Sequence, residues 1–310
     1  MKKISVIVPT YNEEDNVVPL SEAVIGQFTD NLPGYDYELI FIDNDSEDDT
    51  RSRIRGLCGS NPKIKAIFNA RNYGQFSSPY YGLLQTTGDC AIAICADFQD
   101  PVELIPDFVR DWEEGHKIIL GQKVSSKESG IKYAMRSMYY NFMKKHSDAE
   151  FIEHATGFGL YDRDFIEMLK SIDEPRPFMK GIVAEMGYKI KLIPYEQPKR
   201  RSGRSSNGLF GYYDAGVQGI TSYTKFGVRL AVFTGVLFTI ASIVTAICLG
   251  IYKLLNWNTF HIAGLALSVV IFLAVSLQIL FIGIVGEYVL EINSRVKKRP
   301  LVIESERINF

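Results

Sequence analysis

Two different hydrophobic patterns divide the chain. Up to about residue 225, short apolar runs alternate with amphipathic stretches, whereas Leu230–Ile251 and Ile262–Val285 are long apolar runs without charged residues. Each long run could cross a bilayer as a helix, which takes roughly 20 apolar residues at about 1.5 Å per residue. The pattern predicts a soluble domain followed by two transmembrane helices. The alternative is two buried helices of a soluble core, which the absence of charge in both runs disfavours.

The first part of the chain alternates between strand and helix patterns. Apolar, β-branched runs predict strands, and apolar residues at helical spacing predict the helices between them. This alternation favours an α/β fold with an open, mostly parallel sheet and helices on both faces, whose ligands bind beyond the carboxyl ends of the strands. The predicted strands are Lys3–Val8, Tyr37–Ile42, Ile64–Phe68, Cys90–Cys95 and Lys117–Gln122, and the predicted helices are Asn16–Phe28, Asp49–Leu57, Ser77–Gln85, Glu103–Glu114 and Ile131–Lys145.

The distribution of basic residues predicts the topology. Lys and Arg residues flank the two apolar runs, and only Lys253 lies between them, so the positive-inside rule places both termini and the large domain in the cytoplasm. The first apolar stretch ends at Pro9 without a cleavage site and reads as a strand, not a signal peptide. The predicted segments are a soluble domain at 1–207, an interfacial helix at 208–228, two transmembrane helices within 229–290 and a cytoplasmic tail at 291–310.

Composition excludes some functions. The formal net charge of -2 does not indicate a general polyanion-binding surface, so no nucleic acid is expected. The four cysteines, Cys58, Cys90, Cys95 and Cys248, form no CxxC pair and no cluster with zinc spacing. They are expected to be reduced, as is usual in a cytoplasmic domain.

Polar residues follow three of the predicted strands. Asp43 and Asp97 lie at the ends of the second and fourth strands, and the first strand runs into Pro9-Thr10-Tyr11-Asn12-Glu13. Carboxylates at strand ends can accept hydrogen bonds from a base or ribose, or bind Mg²⁺ or Mn²⁺ on a diphosphate. A single aspartate in such a place is most simply a helix N-cap. Three polar clusters together favour a binding site.

Four motifs carry a resemblance to a known family. Read in chain order, they resemble the family 2 glycosyltransferases of GT-A fold, and more narrowly the two-span bacterial polyprenyl-phosphate glycosyltransferases, which include bactoprenol glucosyltransferases. Gly219-Ile220-Thr221-Ser222-Tyr223 and Gly283-Ile284-Val285-Gly286-Glu287-Tyr288 in the apolar region fit the same branch. The four motifs are Ile7-Val8-Pro9-Thr10-Tyr11-Asn12-Glu13-Glu14, Asp43-Asn44-Asp45-Ser46, Arg71-Asn72-Tyr73-Gly74 and Ala96-Asp97-Phe98-Gln99-Asp100-Pro101.

The resemblance implies a role for each motif residue. Asp97 and Gln99 would hold Mg²⁺ or Mn²⁺ and the diphosphate, and Asp43 would bind the base. The nucleotide-sugar would contact Pro9, Tyr11, Glu13, Asp43, Asp45, Arg71 and Asp97, and the acceptor phosphate would meet Lys123, Lys132, Arg136, Arg200 and Arg201. Arginine can bind phosphate through two hydrogen bonds. The basic residues before the first span have a second interpretation, attraction to anionic lipid. The resemblance also implies a homo-oligomer.

The chain departs from the family pattern in two places. Cys95-Ala96-Asp97 replaces Asp-Ala-Asp, and Cys95 is expected to be a small buried hydrophobe. Thr156-Gly157-Phe158-Gly159 replaces Gly-Asp-Phe-Arg, so a carboxylate near the reacting centre is missing. The nearby substitutes are His154, Asp162 and Asp164. The first two join Asp97 as candidate catalytic residues, although His154 reads more simply as a packed or solvated side chain.

The missing carboxylate favours a particular acceptor. A phosphate monoester, with a second pKa of about 6, is already largely ionised at neutral pH and needs no strong general base. We therefore expect an inverting transfer of a sugar from a UDP-sugar to polyprenyl phosphate at the cytoplasmic membrane face. The alternatives are a processive polysaccharide synthase, a catalytically weakened homologue acting as a binding partner, and a soluble transferase with an apolar oligomerisation tail. The lack of a Gln-x-x-Arg-Trp motif disfavours the first.

Overall fold

A mixed eight-stranded sheet forms the centre of the soluble part. The computed structural model describes residues 1–125, 130–147, 152, 155–172, 174–201, 209–255, 263–297 and 299–310. The strand order is β7-β5-β6-β4-β1-β2-β3-β8, and β6 and β8 run antiparallel to their neighbours while the other pairs are parallel. The strands are β1 (Lys3–Thr10), β2 (Asp36–Asp43), β3 (Ile64–Asn69), β4 (Cys90–Ala93), β5 (Ile118–Ser125), β6 (Ala155–Asp162), β7 (Ile190–Glu196) and β8 (Glu304–Ile308). The mostly parallel α/β sheet predicted from the sequence is confirmed.

Helices cover both faces of the sheet. In β1, Ile4, Val6 and Val8 belong to one buried core and Ile7 to the other, as the alternation of side chains along a strand requires. Helices α1, α2 and α4 pack on the first core, and α3, α6 and α7 on the second. The helices are α1 (Glu14–Asp30), α2 (Thr50–Ser60), α3 (Gly74–Leu84), α4 (Ile105–Glu113), α5 (Gly130–His146), α6 (Arg163–Ile172), α7 (Met179–Glu185), α8 (Leu209–Tyr223), α9 (Phe226–Leu255) and α10 (Ala263–Val296).

A buried carboxylate joins β2 to its neighbours. Glu38 lies in β2 and is 1% exposed, and it accepts hydrogen bonds from the Lys65 ammonium, the Ser5 hydroxyl and the Lys3 ammonium at 2.6 to 2.9 Å. Burial alone would raise the pKa of Glu38, but these hydrogen bonds together outweigh it and lower the pKa to about 2. Glu38 is therefore charged at neutral pH and stabilises the middle of the sheet.

Three strands, β6, β7 and β8, are absent from the sequence prediction. Strand β6 contains Gly157 and Gly159, and glycine has low strand propensity, so its pattern is weak. Strand β8 falls in the region predicted as a tail, 291–310. Its short charged sequence, Glu304-Ser305-Glu306-Arg307-Ile308, has little apolar content, as is common for an edge strand.

The apolar helices are exposed in the isolated chain. Among the described residues, Phe226–Tyr252 is the one helix long and apolar enough to cross a membrane, and the shorter apolar segment Ala274–Leu290 lies within α10. Large side chains on α9 face outward, including Phe233 at 71% and Leu255 at 77% exposure. An apolar surface of this extent needs an apolar partner. The first predicted span is supported, and the hairpin as a whole is supported in part.

Both connections to these helices lie at the same edge of the sheet. We call the edge where β1, β2, β3 and β4 end the carboxyl edge. Strand β7 is parallel to these strands through β5 and β6, so Glu196 and the described residues that follow it, up to Arg201, lie at this edge. Strand β8 begins at Glu304, opposite Asn69 at the end of β3, so the chain also returns there. The apolar helices are thus joined to the carboxyl edge at both ends.

Candidate active site

Strained loops mark the carboxyl edge. Asn12, Asp45 and Phe98 have positive φ angles of 55°, 67° and 59°, and each lies in the loop that follows a strand of the parallel core. Asparagine and aspartate adopt this conformation at modest cost, but an aromatic residue does so rarely. Such strain collects at functional sites, where the surrounding structure holds it in place. The loops after β1, β2 and β4 therefore form the candidate site.

An arginine joins two of the predicted site carboxylates. Arg200 Nη2 donates a hydrogen bond of 2.9 Å to Glu13 Oε1, and Arg200 Nε lies 3.3 Å from Asp97 Oδ2. Burial raises the pKa of Glu13, against hydrogen bonds from Asn16 and the charge of Arg200. Asp97 also accepts a hydrogen bond from the Gln99 backbone N–H at 3.1 Å. The structure thus brings Glu13, Asp97 and Gln99 close to Arg200. Arg200 was predicted for the acceptor phosphate, and here it faces carboxylates.

A second buried carboxylate lies behind Asp97. Asp100 accepts hydrogen bonds from the Cys95 backbone N–H at 3.0 Å and from the Tyr195 hydroxyl at 3.2 Å. Burial raises the pKa of Asp100 to about 6. The charge of Asp100 is the largest cause that raises the pKa of the Cys95 thiol. Cys95 is exposed, which corrects the expectation that it packs as a buried hydrophobe.

Asp43 is fully buried and most of its acceptor positions are used. It accepts hydrogen bonds from the Ser46 hydroxyl and backbone N–H, from Arg51 Nε at 2.6 Å, and from the Thr10 hydroxyl at 3.4 Å. A carboxylate offers about four lone-pair sites, so most of those of Asp43 are used within the chain. The contact of Asp43 with the base stays a prediction. Asp43 also holds Arg51, whose Nη2 lies 3.2 Å from the half-exposed Asp45 carboxylate.

A network of asparagines supports the loop that carries Arg71. Asn44 accepts hydrogen bonds from the Asn69 side chain at 3.1 Å and from the Tyr73 backbone N–H at 2.8 Å, and donates to Asn72 Oδ1 at 2.8 Å. Arg71 is exposed, and its guanidinium lies 4.2 Å from the centre of the Tyr73 ring. Asn44 and Asn69 are supporting residues that the sequence prediction missed. The position of Asn44 directly after Asp43 was the available signal.

Asp162 does not join the site. It lies at the end of antiparallel β6, opposite Cys90 at the start of β4, and therefore at the far edge of the sheet. Trp112 Nε1 donates to it at 2.7 Å and Lys117 Nζ at 2.9 Å. Its position corrects the prediction that it substitutes for the missing carboxylate. His154, the other candidate catalytic residue proposed in place of the missing carboxylate, lies outside the described residues.

The remaining predicted residues are partly placed. Pro9 lies near the end of β1 opposite Ile42, and Tyr11 follows the strand directly. Lys123 lies opposite Tyr195 near the end of β5. Lys132 and Arg136 lie in α5, but their side chains are outside the described part of the chain. The guanidinium of Arg201 lies 5.1 Å from the centre of the ring of Phe98, the residue with a positive φ angle after β4. Arg201 therefore reaches the site.

Gly157 and Gly159, which stand where the family pattern has Asp and Arg, have different surroundings. A Cβ atom added to Gly157 would meet no atom of the described residues within 4 Å, whereas one added to Gly159 would lie 2.4 Å from the Ile119 carbonyl oxygen. Gly157 lines a cleft with Lys180, whose ammonium donates a hydrogen bond of 2.9 Å to the Tyr140 hydroxyl. Lys180 is a cation that the sequence prediction missed. The Gly157 position therefore has room for a side chain, and the Gly159 position has none.

The site offers little to a metal ion on its own. Within the described residues, no group of three or more His, Cys, Asp or Glu side chains could hold one. Asp97 is the carboxylate predicted to hold the ion, and Arg200 Nε lies 3.3 Å from its Oδ2. Magnesium is often bound through one or two carboxylates together with substrate phosphates. The donor set fits a cation that arrives with a diphosphate and does not fit a cation held by protein alone.

Comparison with known proteins identifies the family. The model described as Glycosyl transferase family 2 matches residues 5–169. The chain is 31% identical to "Putative glycosyltransferase CsbB" of Bacillus subtilis (strain 168), over 96% of the chain and 89% of that protein. It is 30% identical to "SfII prophage-derived bactoprenol glucosyl transferase" of Shigella flexneri, over 97% of each. The chain belongs to glycosyl transferase family 2 and is a glycosyltransferase.

A solved structure gives a more distant likeness. Glucosyl-3-phosphoglycerate synthase from Mycobacterium tuberculosis, solved with Mn²⁺, UDP and phosphoglyceric acid, is 19% identical to the chain, with a TM-score of 0.48. The match covers 71% of the chain and 76% of that protein.

Proposed function

We propose that the protein transfers a sugar, with inversion, from a UDP-sugar to polyprenyl phosphate at the cytoplasmic face of a bacterial inner membrane. One observation carries the proposal: the Glu13–Arg200–Asp97 cluster lies at the carboxyl edge, to which both ends of the apolar helices are joined. A site built this way faces a soluble donor from one side and a lipid-borne acceptor from the other. The product would be a polyprenyl-phosphate sugar for cell-envelope polysaccharide.

The donor side of the site is formed by the loops after β1, β2 and β4. Tyr11, Asp45 and Arg71 are available to contact the nucleotide, while Asp43 positions the loop around them. A divalent cation bound with the diphosphate would be held by Asp97 with Gln99 beside it, and would neutralise charge on the leaving diphosphate. Arg200 would have to exchange its contact with Asp97 for a phosphate when the donor binds.

The acceptor side uses positive charge and needs no general base. The phosphate oxygen attacks the anomeric carbon, the bond to the diphosphate breaks on the opposite face, and the leaving diphosphate takes the electron pair. Arg200 and Arg201 lie at this edge, and Lys180 lies beside the open Gly157 position. Cations fixed in this way position an anionic nucleophile and balance its charge. The name of the Shigella flexneri relative supports a polyprenyl acceptor.

The proposal is tested by direct transfer. Purified protein in detergent is given a panel of radiolabelled UDP-sugars and undecaprenyl phosphate, with and without Mg²⁺ or Mn²⁺. We expect organic-extractable label with one donor, and none with an Asp97→Ala variant that still binds to the membrane. Nucleotide binding without transfer from any UDP- or GDP-sugar would overturn the proposal and favour the weakened homologue that acts as a binding partner.

A further inference from the structure

The C-terminal strand is attached to the sheet by many specific contacts. The Ala70 backbone N–H donates to the Ile303 carbonyl oxygen at 2.9 Å, and β8 then pairs with β3 from Asn69 to Ala66. Val302, just before the strand, is buried. A strand of this kind occupies the exposed edge of β3 and satisfies its backbone groups.

Side chains fix the register of β8. Glu306 forms an ion pair of 2.6 Å with Arg55 on α2, and Glu304 accepts a hydrogen bond of 2.8 Å from the Tyr81 hydroxyl on α3. Asn309 donates from its side-chain amide to the Cys58 and Ile64 carbonyl oxygens at 2.9 and 2.8 Å. The strand therefore contacts helices on both faces of the sheet. An unstructured tail would not make this set of contacts.

The position of β8 gives the soluble domain a second connection to the apolar helices. The chain leaves the sheet after β7, at one end of the strand order, and returns to β8, at the other end. Both connections lie at the carboxyl edge. A domain held by one connection can turn freely about it, whereas two connections at opposite ends of one edge restrict that rotation. Because β3 and β8 share one sheet, the chain must also cross a membrane an even number of times between β7 and β8.

We propose that β8 is a positioning element that holds the carboxyl edge against the membrane, so that a lipid-borne phosphate meets the donor site. The inference rests on the proposed function for its catalytic consequence, but its geometric part does not. Restricting rotation raises the effective concentration of the site at the bilayer surface without a new contact to substrate. The strand itself touches no reacting atom.

The geometric test measures distance to the bilayer. A fluorophore is attached at Glu47→Cys, in the loop after β2 at the carboxyl edge, or at Pro62→Cys, in the loop before β3 at the opposite edge. Both positions are exposed, and Cys95 and Cys248 are replaced by serine. The full-length protein is placed in vesicles of phosphatidylethanolamine and phosphatidylglycerol that contain a nitroxide lipid. We expect stronger quenching at residue 47 than at residue 62. Deletion of residues 302–310 should reduce that difference, and an unchanged difference would overturn the proposal.

The catalytic test compares two acceptors. Transfer is measured to undecaprenyl phosphate in the same vesicles and to a short, water-soluble prenyl phosphate in detergent. The deletion, and the full-length variant Ser305→Pro, should lose about tenfold or more in transfer to the vesicle acceptor only. Glu306→Gln, which leaves the backbone pairing of β8 intact, is the matched control and should transfer normally.

The outcomes separate the two proposals. Equal losses on both acceptors, together with a lower melting temperature, would show that β8 only stabilises the fold and would overturn the positioning role. If the intact protein transferred to neither acceptor, the proposed function would fail, and the quenching difference would still decide whether β8 orients the domain.

Discussion

Restoring the missing carboxylate tests the proposed chemistry most directly. The variant Gly157→Asp places an aspartate where the family pattern has one. Because a Cβ atom at Gly157 meets no atom of the described residues within 4 Å, the substitution needs no rearrangement of that part of the chain. Strand residues differ in propensity by only about 1 kcal/mol, so the free energy of unfolding should change by no more than that. Any large kinetic effect would then come from charge.

An ionised acceptor and a missing general base predict opposite effects of Gly157→Asp on the rate of transfer. If the acceptor phosphate is already ionised, a new carboxylate repels it: two unit charges about 6 Å apart at an effective dielectric constant of about 20 interact by roughly 3 kcal/mol. That is an upper limit of about 100-fold in kcat/KM for the acceptor, and the nearby Lys180 ammonium will reduce it. If the reaction instead needs a general base that the enzyme lacks, the same carboxylate should increase the rate by about 10²-fold or more.

The assay follows initial rates against acceptor concentration at saturating donor, with the melting temperature measured in parallel. We expect a lower kcat/KM for the lipid acceptor and a nearly unchanged affinity for UDP. A tenfold gain in kcat would refute the argument that a phosphate acceptor needs no base. Gly159→Ala is the structural control, because its Cβ would lie 2.4 Å from a backbone oxygen and should cost about 1–3 kcal/mol or more of stability.

Three further substitutions test the roles of individual carboxylates. Asp97→Ala should lower kcat by about 100-fold or more without unfolding the protein, as measured by transfer and circular dichroism; near-normal turnover would exclude its diphosphate role. Asp162→Asn should lower the melting temperature and leave kcat within about threefold, because Asp162 lies at the far edge; a selective loss of kcat would return it to the site. Glu38→Gln should cost about 3 kcal/mol at pH 7, from a pKa of about 2 against an ordinary 4.5. The ionised Glu38 carboxylate contributes fully to the free energy of unfolding above pH 4.5, and this contribution is lost as the pH falls towards 2. The free energy of unfolding of the variant, measured from denaturation curves at several pH values, should lack that pH dependence.

The sequence predicted what depends on pattern. The first four strands of the core are apolar runs with a clear length, and β1 to β4 were found within a few residues of their observed bounds. The polar loops at the carboxyl edge followed from the same pattern, since parallel strands must end together. The clustering of Glu13, Asp97 and Arg200 needed more, because residue 200 comes from a distant part of the chain. Only the resemblance to the family placed Arg200 near the site.

Part of the site geometry could not be predicted from the sequence, for a physical reason. Whether Asp43 can bind a base depends on how many of its lone pairs the protein already uses, and that count comes from Ser46, Arg51 and Thr10 in the folded chain. Asp162 was placed near the reacting centre because it is near Gly157 in sequence. In an extended strand, however, a few residues carry the chain from one edge of the sheet to the other. Sequence distance is a poor guide to position along a strand.

Strand β8 explains why the last residues matter to a membrane enzyme. A charged segment after a transmembrane helix is most simply a tail held near the membrane by its basic residues, and composition alone supports that interpretation. The pairing of β8 with β3 does not fit a simple tail. Because of this pairing, the apolar helices lie in a loop of the chain that begins and ends on one sheet. A loop closed in this way fixes the side of the membrane on which both of its ends lie. In the positioning role proposed for β8, it also directs the edge that carries Asp97 towards the bilayer. The short strand therefore links topology, orientation and access of the acceptor, which the proposed transfer requires together.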